Sequence, residues 1–384
     1  MTSPGVIRIV VAPNALKGSL SPFEAAKAIA SGVRAAAPHA VIESLPIADG
    51  GDGTSAVLRA ARGGVLRETV VADPLGRPVR ASFALLDAGR TAVLDVATAS
   101  GLALLETQER DPLLTSSRGT GKLISAALDA GAETVILGVG GSATVDGGAG
   151  LLAALGVGLL DASGTPIPSG GGGLARLARL DLTRLHPALS RIKFRVACDV
   201  DSTLLGAHGA ARMFAAQKGA TPEGVLELEQ NLAHFADVIQ DATGRDVRNV
   251  VSGGAAGGIA AGLSGVLGAT LEPGIDLVLE TVGFDQALVG ASLVLTSEGQ
   301  LDEQSLRNKG PCGVGRWAKR RNVPVIVLAG GIADNVRHGD FPDFAGIFSI
   351  CRGPMALQDA MARAAELLES ATESVLRVFL AGLP

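Results

Sequence analysis

The residues of this chain that could do chemistry are concentrated in three polar loops, each of which follows a short apolar run. The loops read PNALKGS, ADGGDGT and TSEGQLDEQS. Mg²⁺ prefers oxygen ligands and usually takes one or two carboxylates together with substrate phosphates. The loops therefore predict a magnesium and phosphate site, although any one of the carboxylates could instead cap a helix. One cation and four carboxylates would form this site: Lys17, Asp49, Asp52, Glu298 and Asp302.

A fourth stretch, GVGGSATVDGGAG at 138–150, is as rich in glycine as a phosphate-binding loop but contains a carboxylate, Asp146. Its start matches the dinucleotide fingerprint GxGxxA, and Asp161 follows near the expected spacing. In that fingerprint the helix begins inside the glycines and faces a pyrophosphate. Here the helical run LLAALG begins only after Asp146, which makes an NAD-dependent dehydrogenase the weaker alternative. We interpret Ser142, Thr144 and nearby backbone amides as an anion-binding nest or a tight glycine turn, and Asp146 as a helix cap or metal ligand.

Two further basic residues lie beside glycine turns. Arg118 in SRGTG and Lys218 in QKGA are interpreted as free cations that can hold a small carboxylate or a phosphate. The stretch SSRGTGKL resembles a Walker A loop, but Ser116 replaces its first glycine and Leu123 replaces its magnesium-binding hydroxyl. The histidines show no metal-ligand spacing and no GxSxG elbow occurs, so zinc chemistry and serine hydrolysis are not indicated.

Composition narrows the class of protein. The net charge is −5 with no block of Lys or Arg, and there is one Trp and no Tyr, so nucleic-acid binding is not expected. No apolar run approaches the ~18–20 residues that cross a bilayer, and the N-terminus has no signal-peptide pattern. A cytoplasmic protein without a membrane partner is expected. Cys198, Cys312 and Cys351 lie far apart and are predicted to be reduced structural thiols.

The elements that must position the loops alternate between strand and helix, which is typical of a parallel sheet covered by helices. VIRIVVA and VIESLPI predict the first two strands. Ser21 predicts a helix N-cap, with Pro22 at the first position and Glu24 closing a capping box. The segment SGGGGL at 169–174 predicts a surface loop, and one long helix is expected over 356–380.

The pattern changes after Gly63-Gly64, where residues 65–97 predict three short strands in an antiparallel meander. Strand and helix alternation resumes from about residue 288. The predicted architecture is α/β in two domains: a discontinuous Rossmann-like domain with a parallel sheet, and a second α/β domain inserted into it. The first would comprise 1–64 and 288–384, and the second 65–287.

Taken together, seven blocks of the chain stand in the order found in bacterial type 1 glycerate kinases, and the chain resembles that family from about Val10 to Val314. The blocks read APNALKGSLSPFEAA, PIADGGDGT, TSSRGTG, GGSATVDGGAG, ACDVDSTLLGAHGAARMFAAQKGA, GAAGG and SEGQLDEQSLRNKGPCGV. The resemblance implies the glycerate kinase type 1 fold, with an active site in the cleft between two domains. It also implies phosphorylation of D-glycerate by ATP with Mg²⁺, typically at the 2-hydroxyl.

The resemblance also implies roles for individual residues. Phosphoryl transfer needs a group that accepts the hydroxyl proton, positive charge for the phosphoryl oxygens, and a cation for the glycerate carboxylate. Catalysis is expected from Lys17, Asp199 and Asp302, where either aspartate is the base or a metal ligand. Substrate and phosphate binding is expected from Arg118, Ser142, Thr144, Lys218 and Lys309, and metal binding from Asp49, Asp52, Asp146 and Glu298.

The chain departs from the family pattern at four positions. Asn14 stands where the family usually has Asp, and the late block, which usually reads TGEGR and ends in GK, has Ser297, Gln300 and Asn308. Asn14 loses a negative charge, and Gln300 loses a cation that could face the phosphoryl group. A degenerate kinase that binds glycerate or nucleotide as a sensor is therefore a further alternative.

Overall fold

The computed structural model describes residues 7–51, 53–302, 305 and 310–382. The strands are β1 (Arg8–Val11), β2 (Val41–Ser44), β3 (Val65–Ala72), β4 (Pro78–Leu86), β5 (Thr91–Asp95), β6 (Thr134–Gly138), β7 (Gly158–Leu160), β8 (Arg179–Asp181), β9 (Lys193–Cys198), β10 (Thr270–Pro273), β11 (Leu293–Leu301), β12 (Val325–Ile332) and β13 (Gly346–Ser349). The helices are α1 (Pro22–Ala36), α2 (Thr54–Arg62), α3 (Ala97–Ser100), α4 (Arg118–Asp129), α5 (Ala149–Ala154), α6 (Ala210–Phe214), α7 (Pro222–Thr243), α8 (Ile259–Gly262), α9 (Gly274–Thr281), α10 (Phe284–Ala287), α11 (Gly310–Arg320), α12 (Leu357–Ala362) and α13 (Ala364–Ala381).

The chain divides into two compact units. Unit 1 is built from both ends of the chain, up to Asp49 and from Ile275 onward, and unit 2 is the continuous middle, Gly50–Gly274. The predicted junctions, after residues 64 and 287, lie further along the chain. The first junction differs because α2 packs on β4 and β5 and so belongs to unit 2. In the sequence, however, α2 continues the strand and helix alternation of unit 1.

Unit 1 contains a parallel sheet in the order β13-β12-β11-β1-β2. Val10 of β1 pairs with Val294 of β11 on one side and with Glu43 of β2 on the other. Helices α1 and α13 pack together, and their apolar faces cover buried strand residues such as Ile9 and Leu295. Because all five strands run in the same direction, their carboxyl ends meet at one edge of the sheet.

The two helices that pack together in unit 1 test the predicted helix boundaries. The capping box of α1 is confirmed, because Glu24 N donates to Ser21 Oγ at 3.3 Å and Ser21 N donates to Glu24 Oε2 at 2.8 Å. The prediction of a single long helix over 356–380 is wrong. It is divided into α12 and α13 at Arg363, whose φ of −105° and ψ of 13° leave the helical region.

Unit 2 contains a mixed sheet in the order β10-β9-β6-β5-β4-β3. The predicted meander is confirmed, since β3, β4 and β5 are antiparallel neighbours, whereas β5, β6, β9 and β10 run parallel. A separate two-stranded antiparallel sheet pairs β7 with β8. Among the helices of the described residues, none combines the length and the apolarity that crossing a bilayer requires.

The glycine segment at 169–174 is not the surface loop that its composition predicts. It leads into a 3₁₀ turn over Gly171–Arg176 in which Gly171 and Leu174 are buried. A Cβ on Gly171 would lie 2.4 Å from Leu228 Cδ2 of α7. Gly171 is therefore needed for close packing against α7, a reason that low complexity alone does not reveal.

Candidate active site

In unit 1, polar residues gather where β1 and β2 end and beside the last part of β11. Asn14 follows β1, Asp49 follows β2, and Glu298 lies within β11. The Nδ2 atom of Asn14 donates to Glu298 Oε2 at 3.2 Å and reaches Asp49 Oδ2 at 3.5 Å. One amide therefore holds two carboxylates close together, and Asn14 is buried, with only 8% of the residue exposed.

The position of Asn14 is fixed by its backbone and by a helix. Asn14 N donates to Ser297 O at 3.1 Å, and Ser297 Oγ donates to Asn14 O at 3.1 Å. A Cβ on Gly310, the first residue of α11, would lie 2.7 Å from Asn14 Nδ2. Asn14 and Ser297, two of the departures from the family pattern, are thus hydrogen-bonded to each other. At position 14 the asparagine amide supplies hydrogen-bond donors, whereas an aspartate would add a negative charge.

The other predicted residues of unit 1 are close to these three residues in the sequence. Lys17 is exposed, and its backbone nitrogen would lie 3.0 Å from a Cβ placed on Gly299. Asp302 is half-buried and accepts a hydrogen bond from Ser305 N at 3.1 Å. The predicted loop TSEGQLDEQS is mostly strand, because β11 continues to Leu301 and pairs with β12 along its length. The sites predicted at Asp52 and Lys309, and the departure at Asn308, lie outside the described residues.

In unit 2, Asp146 organises the glycine-rich stretch that follows β6. Its carboxylate is fully buried. Oδ2 accepts hydrogen bonds from Ser117 N at 2.9 Å, Ser117 Oγ at 2.8 Å and Gly150 N at 3.2 Å, while Oδ1 accepts from Gly148 N at 3.1 Å. Ser117 is the N-cap of α4, and Gly148 is the N-cap of α5. Asp146 therefore ties together the first turns of two helices.

Lys218 lies at the end of the 3₁₀ turn that follows α6, and it is buried rather than free. Its Nζ donates to Ser142 Oγ at 2.8 Å and to Thr144 O at 2.9 Å, and the residue is only 4% exposed. Burial lowers the pKa of Lys218 to about 7, an effect that the negative charge of Asp146 opposes. The interpretation of Lys218 as a free cation is therefore wrong, because its ammonium already holds the loop.

Three other features of unit 2 bear on the predicted roles. Arg118, the first residue of α4, is exposed, and its guanidinium has no hydrogen-bond partner within the described part of the chain. Thr144 Oγ1 is buried and likewise has no partner there. Asp199 is half-buried and directly follows Cys198, the last residue of β9. Burial, above all, raises the pKa of the Cys198 thiol to about 12, and all three cysteines are free, as the sequence predicts.

The carboxylates predicted to bind metal are divided between the units. Asp49 and Glu298 belong to unit 1, whereas Asp146 belongs to unit 2. Across the residues that the structure describes, no three His, Cys, Asp or Glu side chains are grouped closely enough to hold a metal ion. Asp146 makes the contacts of a helix cap, and a metal role for any of the three stays a prediction.

Open α/β sheets bind ligands beyond the carboxyl ends of their parallel strands. Both polar clusters follow strand ends of this kind. The fold and the candidate site therefore define an α/β enzyme built from two units. The family model of the glycerate kinase family matches residues 9–380, and the chain belongs to this family. It is 47% identical over 373 residues to a glycerate kinase of Bacillus subtilis strain 168, which covers 96% of this chain and 97% of the relative.

Two further relatives extend the comparison. The chain is 42% identical over 381 residues to a glycerate 2-kinase of Escherichia coli K12, with 98% of this chain and 99% of the relative covered. A crystal structure described as a glycerate kinase 2 from Salmonella typhimurium LT2 superposes with a TM-score of 0.88 at 42% identity. That match covers 98% of this chain and 99% of the other.

Proposed function

We propose that the protein transfers the γ-phosphoryl group of ATP to the 2-hydroxyl of D-glycerate. The observation that carries this proposal is the match to the glycerate kinase family over residues 9–380. The choice of the 2-hydroxyl is supported by the relative named glycerate 2-kinase, which aligns along almost all of this chain. The same proposal places the enzyme in the cytoplasm, where ATP is available to it.

The described residues can supply what phosphoryl transfer requires. Asp49 and Glu298 offer two carboxylates held by one amide, a donor set of hard oxygens that fits Mg²⁺. When bound, Mg²⁺ would neutralise charge on the phosphate oxygens. Lys17 and Arg118 are exposed cations for the anionic substrates, and Asp199 or Asp302 is proposed to accept the hydroxyl proton.

Lys218 has a different part in this proposal. Because its ammonium donates to Ser142 Oγ and Thr144 O, we assign it to positioning the glycine-rich loop rather than to direct contact with a phosphate. Ser142 and Thr144 remain the hydroxyl residues that this loop offers to an anion, and Thr144 Oγ1 has no hydrogen-bond partner among the described residues.

The decisive experiment follows the phosphorus atoms. Purified protein incubated with Mg·ATP and D-glycerate is expected to give ADP and 2-phosphoglycerate in ³¹P NMR spectra, and the position of the new phosphate distinguishes 2- from 3-phosphorylation. L-Glycerate is the substrate control, and NAD with D-glycerate, followed at 340 nm, tests the dehydrogenase alternative. Absence of any phosphoglycerate would contradict the proposal, and ATP binding without turnover would favour a sensor.

Asn14 provides a test of the proposed magnesium ligands that does not depend on activity. Asn14→Asp places a third carboxylate beside Asp49 and Glu298, so we expect a lower melting temperature without Mg²⁺ and a larger rise with it than in wild type. At a hundred times its Kd, an ion that binds only the folded protein adds about 2.7 kcal/mol to the free energy of unfolding. The fluorescence of Trp317, in α11 of unit 1, reports the transition.

Asn14→Leu is the matched control, because it removes the amide donors at similar volume and adds no charge. It should melt lower than wild type without any gain in response to Mg²⁺. If Mg²⁺ shifts wild type and both variants equally, Asp49 and Glu298 are not the magnesium ligands.

A further inference from the structure

Unit 2 contains a cavity of about 280 Å³ that none of the residue roles described so far explains. The start of α5 lines it with Ala149, Gly150 and Ala153. The lining also includes β7, the segment 166–170 and Arg118. The cavity thus adjoins the helix starts that the Asp146 carboxylate ties together.

The lining of this cavity is aliphatic with a single charge. Apolar side chains include Val157, Leu159 and Ile167, and Arg118 is the only charged residue among the described residues that line it. Its guanidinium is unpaired within the described residues, and no carboxylate lines the cavity to repel an anion. A ligand that suits these walls has an apolar, flat or aliphatic body and an anionic end.

This chemistry distinguishes between the two substrates. Glycerate has three carbon atoms, each bearing an oxygen, so aliphatic walls would only remove its polar groups from water. ATP combines a flat base with a polyanionic chain, and the guanidinium of arginine forms strong, bidentate hydrogen bonds with phosphate. Since ligand pockets usually measure about 300–1,000 Å³, this cavity suits the base and sugar rather than the whole nucleotide.

The glycine-rich stretch explains how Arg118 comes to line the same cavity as the start of α5. A Cβ on Gly150 would lie 2.2 Å from Ser116 Oγ and 2.8 Å from Arg118 N. Only a residue without a side chain lets the start of α5 pass so close to the start of α4. Gly150 N also donates to Asp146, as does Ser117 N, so the buried carboxylate fixes the start of α5 beside the start of α4.

We propose that this cavity is the nucleotide subsite: the adenine and ribose of ATP enter it, and Arg118 contacts the phosphate chain. The inference rests on the proposed kinase function and adds to it where the nucleotide binds. Glycerate then has to be held by other groups, so variants in the cavity should affect the two substrates differently.

The test uses two variants that act on different parts of the cavity. Ala153→Phe fills it with a ring, and Arg118→Ala removes its charge. Isothermal titration with ADP, and KM measured for each substrate, should show nucleotide binding weakened about tenfold or more in both variants, with KM for glycerate within about twofold of wild type. Arg118→Lys should recover part of the loss. Arg179→Ala, an exposed arginine of β8 outside the lining, is the matched control and should bind ADP like wild type.

The outcomes separate this inference from the kinase proposal. If ADP binds wild type and the cavity variants lose it, the subsite stands even when no phosphoglycerate forms. If Arg118→Ala and Ala153→Phe keep the circular dichroism and the ADP affinity of wild type, the subsite is overturned even when glycerate is phosphorylated. A rise confined to KM for glycerate would overturn it too, because the cavity would then serve the other substrate.

Discussion

Asp146→Ala is expected to lower the free energy of unfolding of unit 2 by about 3–5 kcal/mol. The substitution removes a fully buried carboxylate and leaves the backbone N–H groups of Ser117, Gly148 and Gly150 without their acceptor. Each buried donor left unpaired costs about 1–3 kcal/mol. Urea denaturation followed by circular dichroism measures the loss, and hydrogen exchange should become faster in peptides that span the starts of α4 and α5.

Asp111→Ala is the matched control for this substitution. Asp111 Oδ1 accepts a single hydrogen bond from Leu113 N at 2.9 Å, and the residue is only half-buried. Water can replace the lost carboxylate there, so a loss of about 1 kcal/mol or less is expected. Equal losses in the two variants would mean that the Asp146 carboxylate does not hold the helix starts together.

Lys218→Met is expected to change how stability depends on pH. Below pH 7 both folded and unfolded wild-type protein bind the lysine proton. Between the folded pKa of about 7 and the ordinary lysine pKa of 10.5, only the unfolded protein binds it. Unfolding then takes up a proton, so the stability of wild type relative to the methionine variant should rise with pH by up to about 1.4 kcal/mol per pH unit.

The measurement is the free energy of unfolding of both proteins at several values between pH 6 and 10. Lys122→Met, on the exposed side of α4, is the control, and its difference from wild type should stay nearly constant over this range. A wild-type minus Lys218→Met difference that is also constant would show that Lys218 keeps its proton in the folded protein.

Much of the architecture could be predicted because its signals are local. The capping box of α1 needs only Ser21, Pro22 and Glu24, which are near neighbours in the chain. The meander of unit 2 depends on short strands joined by tight turns, and the discontinuous α/β arrangement follows from the order of such segments. Local periodicity and turn chemistry are sufficient for features of this kind.

The features that the sequence did not predict depend on distant partners. Lys218 is buried because it bonds to residues 76 and 74 positions away, and Asn14 holds a carboxylate 284 positions away. Nothing beside either residue reveals these partners. The helix break at Arg363 has no proline or glycine to mark it, and Gly171 is buried against Leu228 of α7. Sequence therefore located the candidate residues but not their contacts.

The discontinuity of unit 1 has a consequence for synthesis on the ribosome. Strand β1 lies in the interior of its sheet, but its neighbour β11 is translated only after the whole of unit 2. The hydroxyl group of Thr296 in β11 donates to Ala12 O, just after β1, and these two residues are 284 positions apart. At the usual ~5–20 residues per second, β1 waits roughly 15–60 s for that partner. Unit 2 is continuous, so all of its strands are translated before β11. The apolar edge of β1 is meanwhile open to pairing with other nascent chains, so translation speed and chaperone access should decide the yield of folded enzyme.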